Sequence, residues 1–246
     1  IATTRYKFND HAPGLDKTTD YGASWTRIDR GIPPGAFTRV VREDEVRRDL
    51  LYAGTERGLF LSWNGGRDWQ PFQLNLPLTP ITDLRVHQGN LIAATSGRSF
   101  WILDDLSLVR QYQPQRPDFA LYQPGNAWLV NSGSQLDQPD ATFTGADTFL
   151  GVNPASGIVL YYQLPELDKA DELTLQVADA AGKVIRTYSS KAVEGARKWD
   201  GGPSPDPLLP KARGLNRFVW DLRHPALPGV PDVYFEASWA GHRAPP

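Results

Sequence analysis

The sequence "TTDYGASW" at residues 18–25 returns in altered form as "SWNGGRDW" at residues 62–69. Matching positions in the two stretches are 44 residues apart, from 18 to 62 and from 25 to 69. Fixed periods of roughly 20–50 residues are typical of solenoids, propellers and other repeat arrays. The pattern therefore predicts a row of similar structural units along the chain.

The repeat extends beyond the Trp motif. The segment "FTRVV" at residues 37–41 matches "ITDLR" at residues 81–85. The segment "LLYAGTERGLFL", residues 50–61, matches "NLIAATSGRSFWI", residues 90–102, with one residue inserted at the turn. Alternating, β-branched and aromatic residues predict four strands in one unit, at residues 38–42, 51–54, 58–62 and 69–73. Four strands in about 44 residues is the period of a β-propeller blade.

Each residue of the first stretch has a structural role in a hairpin between the third and fourth strands. The Asp20 carboxylate can accept hydrogen bonds from backbone N–H groups two residues on, and Gly22 supplies a positive φ. We expect Trp25 to begin the fourth strand and to bury its ring between neighbouring blades. A catalytic Asp20 is less favoured, because the second copy has Asn64, which can form the turn but cannot be a general acid.

This stretch resembles the Asp box, S/T-x-D-x-G-x-T/S-W, of sialidases, two-propeller xyloglucan-cleaving glycosidases and sortilin-type receptors. The second copy departs from that pattern at Asn64 and Asp68. "RVVRED", "LLYAGTERGLF", "LNLPLTPITDL" and "GRSFWILDDL" resemble segments of large bacterial glycosyl-hydrolase-like proteins with sortilin-like propellers. The resemblance implies that this chain holds the last two to three blades of a longer propeller. It assigns structural Asp-box roles to Thr18, Asp20, Gly22, Trp25, Ser62, Asn64, Gly66 and Trp69.

The second half of the chain has a different pattern. The proline-rich stretch "YQPQRPDFALYQPG" predicts an extended connector, and no copy of the Trp motif follows it. Residues 173–178 and 184–189 flank "DAAGK" and predict a hairpin with a positive φ at Gly182. The segment "GLNRFVWDLR" resembles a strand of the Ig-like domain that follows the propeller in this family, with Trp220 in the core and Asp221 exposed at the strand end.

We therefore predict an all-β fold, a partial β-propeller with Asp-box blades followed by an Ig-like β-sandwich. Residues 1–112 form the blades, residues 113–126 the proline-rich linker, and residues 127–246 the sandwich, which we expect to be truncated at its C-terminus. Because the chain does not begin with Met, we expect a processed protein or part of a longer one. The resemblance implies a secreted or periplasmic location.

The composition and the absence of known motifs argue against several classes of function. The net charge of −2 and the pI of about 6.1 argue against a nucleic-acid partner. No apolar run approaches the roughly 18 residues of a membrane-spanning helix. The chain has no Cys, its four His form no metal-binding motif, and no GxSxG, P-loop or dinucleotide-binding pattern occurs. We therefore predict no metal and no cofactor.

Topology points to a candidate ligand face. In a four-stranded meander the second-to-third turns and the links between blades lie opposite the third-to-fourth turns, which carry the Asp boxes. The insertion at residues 5–14 joins that opposite face, and Arg side chains there match the carboxylates of acidic sugars. Alternatively, Glu56 and Arg57 form only a solvated turn and Arg98 pairs with Asp104 or Asp105. The candidate ligand-face residues are Arg5, Lys7, His11, Arg57 and Arg98, with Asp10 and Glu56 as candidate catalytic acids.

Two functions remain open. The first is the C-terminal part of a large secreted propeller protein that acts in glycan or protein recognition or assembly. Its partners are the remaining blades, from the parent chain or another chain, and a glycan or peptide ligand. The alternative is a fragment of a sialidase-like or xyloglucanase-like glycoside hydrolase that uses a carboxylate pair, Asp10 and Glu56, on the candidate ligand face.

Overall fold

The computed structural model describes residues 1–113, 119–127, 133–137, 152–193, 199–234 and 241. The described residues separate into two compact units, one ending at Tyr112 and one beginning at Gln113. Both units consist mainly of small antiparallel sheets. No helix in these ranges is long and apolar enough to cross a membrane. The end of the predicted sandwich, residues 242–246, lies outside the described residues.

The first unit contains three sheets in chain order. The first is a hairpin of β1 (Asp16–Lys17) and β2 (Thr26–Arg27). The second is a meander of β3 (Thr38–Glu43), β4 (Leu51–Thr55), β5 (Gly58–Ser62) and β6 (Gln70–Pro71). The third contains β7 (Ile81–His87), β8 (Asn90–Thr95) and β9 (Phe100–Leu103), followed by the helix α1 (Ser107–Gln111). The four strands predicted for the central unit are thus present in the predicted order.

The second and third sheets repeat the same local features. The pairing of β3 with β4 shifts register between Thr38 and Val40, and the pairing of β7 with β8 shifts between Ile81 and Asp83. At the next turn Thr55 Oγ1 donates to the carbonyl of Gly58 at 2.9 Å, as Thr95 Oγ1 donates to that of Ser99 at 2.7 Å. The later turn is one residue longer, as the inserted residue in the sequence predicts.

The second sheet is covered on both faces because its side chains alternate in direction. Leu59 and Leu61 share a core with residues of the third sheet, including Ile81. Phe60 points the other way and shares a core with Leu15, which lies just before β1. The sheets approach closely at Gly54, where an added Cβ would lie 2.7 Å from Ile81 Cγ2. The three sheets are therefore stacked face to face in chain order.

The two Trp residues of the repeat differ in burial, and the prediction that Trp25 buries its ring is wrong for this structure. Trp69 is only 3% exposed, and its Nε1 donates to the carbonyl of Ile28 at 2.5 Å. Trp25, just before β2, is 47% exposed. Trp69 packs towards the preceding hairpin, whereas residues 1–15 contain no strand of a named sheet that could cover Trp25.

The second unit contains a three-stranded sheet and a hairpin. The sheet has the order β10 (Ala120–Leu121), β11 (Ile158–Leu164), β14 (Gly214–Trp220), and the hairpin joins β12 (Thr174–Ala178) to β13 (Val184–Ser189). A 3₁₀ turn spans Gln135–Asp137. Because Ala120 and Leu121 pair with β11, part of the predicted linker belongs to this sheet.

One core joins the two sheets of the second unit. Tyr188 of the hairpin meets Phe218 of the three-stranded sheet edge to face, with ring centroids 4.7 Å apart. Trp220 is buried in the same core, as predicted. The predicted hairpin is also present, and Gly182 in its turn has φ 81°. Asp221 is exposed at the strand end and accepts a bond of 3.1 Å from Arg186 Nη1.

Candidate ligand face

The inserted loop at residues 5–14 is closed by its own contacts. Tyr6–Phe8 forms a single 3₁₀ turn, and Asn9 ends it with φ 59°. Arg5 Nε lies 3.5 Å from Asp10 Oδ2, and Asp10 Oδ1 accepts the backbone N–H of Ala12 at 3.1 Å. The Asp10 carboxylate is thus engaged in holding the loop.

An aromatic and cationic layer attaches this loop to the start of β3. The rings of Tyr6 and Phe37 stack with centroids 5.0 Å apart, and His11 lies 5.8 Å from Phe37 on a tilted ring plane. The Arg39 guanidinium carbon is 5.1 Å from the Phe37 centroid and 6.0 Å from that of Tyr6, within the range of cation–π attraction. Phe37 is therefore the buried centre of this cluster.

Glu56 in the β4–β5 turn is joined to the same cluster. Arg39 donates to Glu56 Oε2 from Nε at 2.9 Å and from Nη2 at 2.6 Å, and the backbone N–H of Glu56 donates to the Phe37 carbonyl at 3.0 Å. Both bonds from Arg39 go to one carboxylate oxygen of Glu56, so this side chain holds the β4–β5 turn against the start of β3.

The candidate residues are brought together in part. Arg5, Asp10, His11 and Glu56 lie around Tyr6, Phe37 and Arg39 in one cluster, which we call the Phe37 cluster. Arg57 borders the link to β3, since a Cβ added at Gly35 would lie 3.6 Å from Arg57 Nη2. Lys7 is exposed in the 3₁₀ turn. Arg98 lies in the β8–β9 turn, and within residues 1–113 it forms no ion pair with Asp104 or Asp105.

Sequence reasoning missed three residues of the Phe37 cluster, Tyr6, Phe37 and Arg39. The matching register shifts make Thr38 the counterpart of Ile81, so the offset in these strands is 43 residues rather than the predicted 44. The residue types gave no local signal, because the contacts join the loop at residues 5–14 and the β4–β5 turn to the start of β3.

The turn at residues 18–25 is held by hydrogen bonds from backbone N–H groups and side chains to side-chain oxygens. Gly22 N–H donates to Thr18 Oγ1 at 2.8 Å. Ser24 donates twice to Asp20, from N–H to Oδ1 at 2.9 Å and from Oγ to Oδ2 at 2.6 Å. The Asp20 acceptor thus reaches four residues on rather than the predicted two. The bonds from the Ser24 side chain, the Ser24 backbone and Thr18 lower the pKa of Asp20 to about 2.

The second turn has the same geometry with a different donor. Gly66 N–H donates to Ser62 Oγ at 2.9 Å, and Asp68 N–H donates to Asn64 Oδ1 at 3.0 Å. Here the amide of Asn64 donates from Nδ2 to Asp68 Oδ2 at 3.0 Å, whereas Ser24 is the donor in the first turn. All of these bonds stay inside the turns, so Asp20 and Asn64 each hold their own turn.

The described ranges contain no group of three or more His, Asp or Glu side chains placed to hold a metal ion. Comparisons with protein-family models, with curated proteins and with solved structures found no match to this chain. The function is therefore inferred from the geometry of the described residues.

Proposed function

We propose that the chain is an assembly and recognition module. Its first unit would be a section of a β-propeller that stacks against a further sheet of the same type, and its second unit an Ig-like β-sandwich. The observation that supports this is an apolar sheet face at β9 that is uncovered, although the matching face one repeat earlier is buried.

The repeat allows the two faces to be compared position by position. Leu59 and Leu61 of β5 correspond to Phe100 and Ile102 of β9, given the one inserted residue. Leu59 and Leu61 are 5% and 0% exposed because the third sheet covers them. Phe100 and Ile102 are 75% and 59% exposed. An apolar face of this kind gains free energy when another apolar surface removes it from water.

The repeat also indicates what would cover that face. The second sheet is covered by aliphatic side chains of β7 and β8, such as Ile81, Leu84 and Leu91. A further sheet with the same aliphatic face would fit against Phe100 and Ile102 in the same way. In addition, β9 is the edge strand of its sheet in the described chain, whereas β5 is paired with β6. Edge strands with apolar side chains readily accept another strand.

Recognition at the Phe37 cluster fits this module better than hydrolysis does. The cluster presents the exposed side chain of Arg5 and the half-exposed ring of Tyr6, and the exposed Phe8 lies in the same 3₁₀ turn as Tyr6. Exposed rings and guanidinium groups are common contacts for glycans and peptides. Both candidate acids, Asp10 and Glu56, are within ion-pair distance of Arg side chains.

The assembly proposal is tested by measuring mass against concentration with light scattering, alongside intact-mass analysis. We expect the chain to associate, and we expect the double variant Phe100→Ser with Ile102→Ser to stay monomeric. Val193→Ser is the matched control, because Val193 is an exposed aliphatic residue of the second unit. A wild-type chain that remains monomeric at every concentration would contradict the proposal.

The rival enzyme function is tested by a glycan-binding array combined with a hydrolysis screen. Binding without turnover is the expected result. Turnover that disappears in Asp10→Asn or Glu56→Gln, while the melting temperature is kept, would overturn the recognition proposal in favour of a glycosidase.

A further inference from the structure

A cleft of the first unit lies on the side of the turns at residues 18–25 and 62–69, opposite the Phe37 cluster in the meander. It has a volume of about 330 Å³, at the lower end of the range of roughly 300–1,000 Å³ for small-molecule sites. It opens between the β1–β2 hairpin and the second turn, and we call it the turn-side cleft. Its lining residues are Lys17, Thr19, Ser24, Thr26, Ile28, Asp49, Asn64, Gly65 and Arg67.

Gly65 lines the turn-side cleft and leaves room in it because it has no side chain. This residue has φ 72°, and its N–H donates to the Asp49 carbonyl at 2.8 Å. A Cβ at this position would lie 2.6 Å from Asp49 Oδ1 and 3.2 Å from Lys17 Nζ. Any other residue would therefore push into the cleft and against its ion pair. The opening is a property of this turn sequence, "NGG", rather than a gap left by loose packing.

The charges of the lining favour an anionic ligand. Lys17 and Arg67 are cationic, and Asp49 is the single acid that lines the cleft. Lys17 Nζ is 3.4 Å from Asp49 Oδ1, and both side chains are roughly half exposed, so this pair is weak and can rearrange. Arg67 uses Nε to hold the Asn64 carbonyl at 3.1 Å. Its two Nη groups have no hydrogen-bond partner in residues 1–113, and such a fork fits a carboxylate.

The remaining polar groups favour hydroxyls on the same ligand. Thr19, Ser24 and Thr26 contribute side-chain hydroxyls to the lining, and Ile28 supplies the apolar part. Ser24 Oγ donates to Asp20, which leaves its lone pairs free to accept from a ligand. The Asp49 carboxylate can accept from ligand hydroxyls as well. A small ligand that combines one carboxylate with several hydroxyls would satisfy both sets of groups.

We propose that the turn-side cleft binds an acidic sugar of the hexuronate class, with its carboxylate on Arg67 and Lys17 and its hydroxyls on Thr19, Thr26 and Asp49. This site is independent of assembly through β9 and of recognition at the Phe37 cluster. It places ligand binding on the side of the molecule where the sequence indicates only structural turns.

The test is a titration of the full ¹⁵N-labelled chain with sodium glucuronate, glucose or sodium sulfate. Amide chemical shifts are measured at each ligand concentration. We expect glucuronate to shift the amides of Thr19, Thr26, Gly65 and Arg67 in a saturable way. Glucose, which lacks the carboxylate, and sulfate, which lacks the hydroxyls, should each bind at least tenfold more weakly. Equal binding of sulfate, equal binding of glucose, or no saturation with glucuronate would each overturn the proposal.

Substitutions in the turn-side cleft test whether glucuronate binds there. Arg67→Gln and Lys17→Gln should each weaken glucuronate binding, Arg67→Gln by at least tenfold. Arg213→Gln is the matched control, because Arg213 is an exposed arginine of the second unit. Two variants are used so that a folding defect in one, checked by its melting temperature, does not decide the result. Glucuronate binding that survives in both folded variants would show that the ligand lies elsewhere and would overturn the proposal.

Discussion

At the scale of the residue, the turns at residues 18–25 and 62–69 show that the turn requires an oxygen acceptor, and that a carboxylate is only one way to supply it. Asp20 Oδ1 and Asn64 Oδ1 accept the same backbone N–H, four residues on, at 2.9 and 3.0 Å. The second contact also exists in both turns, but its direction is reversed between Ser24 Oγ and Asn64 Nδ2. Each pair of side chains is therefore matched, and changing one partner alone breaks the match.

Asp20→Asn is expected to lower the melting temperature slightly. The double variant Asp20→Asn with Ser24→Asp is expected to restore the melting temperature, because it recreates the pair of Asn64 and Asp68.

The pH dependence of the melting temperature gives a second readout. The pKa of Asp20 is lowered from 3.8 to about 2, so its bonds stabilise the fold above pH 3.8 and this contribution is lost as the pH falls towards 2. Melts from pH 5 to 2 should show a weaker acid-dependent loss in Asp20→Asn. A double variant less stable than the single one would contradict the matched-pair explanation.

The two Trp residues of the repeat should differ strongly in their contribution to stability. Trp69→Ala is expected to cost about 3–5 kcal/mol, because it empties a buried position and removes the bond to the Ile28 carbonyl. Trp25→Ala should cost much less, because nearly half of that ring is already in water. Denaturant unfolding of both variants measures the difference. Equal losses would mean that Trp25 is covered in solution, for example by an associated sheet.

At the scale of the element, α1 shows how a short helix is held by side chains from elsewhere. Arg110 Nε donates to Asp44 Oδ1 at 2.9 Å, and the Asp44 side chain is fully buried. Arg47 Nη1 donates to the carbonyls of Arg110 and Tyr112 at 2.7 and 3.1 Å. Trp63 Nε1 donates to the Val109 carbonyl at 3.1 Å. Side chains from the β3–β4 and β5–β6 connections of the second sheet thus fix the helix that follows the third sheet.

Asp44→Ala is expected to cost about 3 kcal/mol, because Arg110 would keep a largely buried charge without its partner. Burial raises the pKa of Asp44, but the bonds from Arg110, Arg47 and Val46 outweigh it, so the pKa lies below its ordinary value. The pair therefore stabilises the fold above that ordinary value and weakens at lower pH. A double-mutant cycle with Arg110→Ala, read from urea unfolding, should give a clear coupling energy at pH 7 that shrinks in acid. Additive losses would show that the two side chains act independently.

Elements fixed by local pattern were predictable from the sequence, and elements fixed by distant contacts were not. The strand Gly58–Ser62 was predicted with its observed bounds, because a short apolar run between two turn sequences defines it locally. The helix Ser107–Gln111 was not predicted, since five residues without a side-chain N-cap depend on Arg47 and Trp63. Likewise, the link from Arg39 to Glu56 joins residues 17 positions apart whose types alone do not specify a partner.

At the scale of the whole molecule, each unit has its own core. The cores of the first unit contain residues between Leu15 and Val109, including the fully buried Leu61. The core of the second unit contains residues between Leu160 and Trp220, including the fully buried Phe218. A unit with its own buried apolar cluster can unfold as one cooperative step, so two such units predict two steps.

Calorimetry of the chain should therefore resolve two transitions, and one substitution in each core should identify them. Leu61→Ala is expected to lower the free energy of unfolding of the first unit by about 2–5 kcal/mol. Phe218→Ala is expected to lower that of the second unit by about 3–5 kcal/mol, because each substitution leaves a cavity in a fully buried position. The control Val193→Ala, at an exposed position, should change the temperature of neither transition. Two transitions that each respond to only one core substitution are the expected outcome. A single transition lowered by both substitutions would mean that the two cores unfold together, and the division at Tyr112 would then have no thermodynamic meaning.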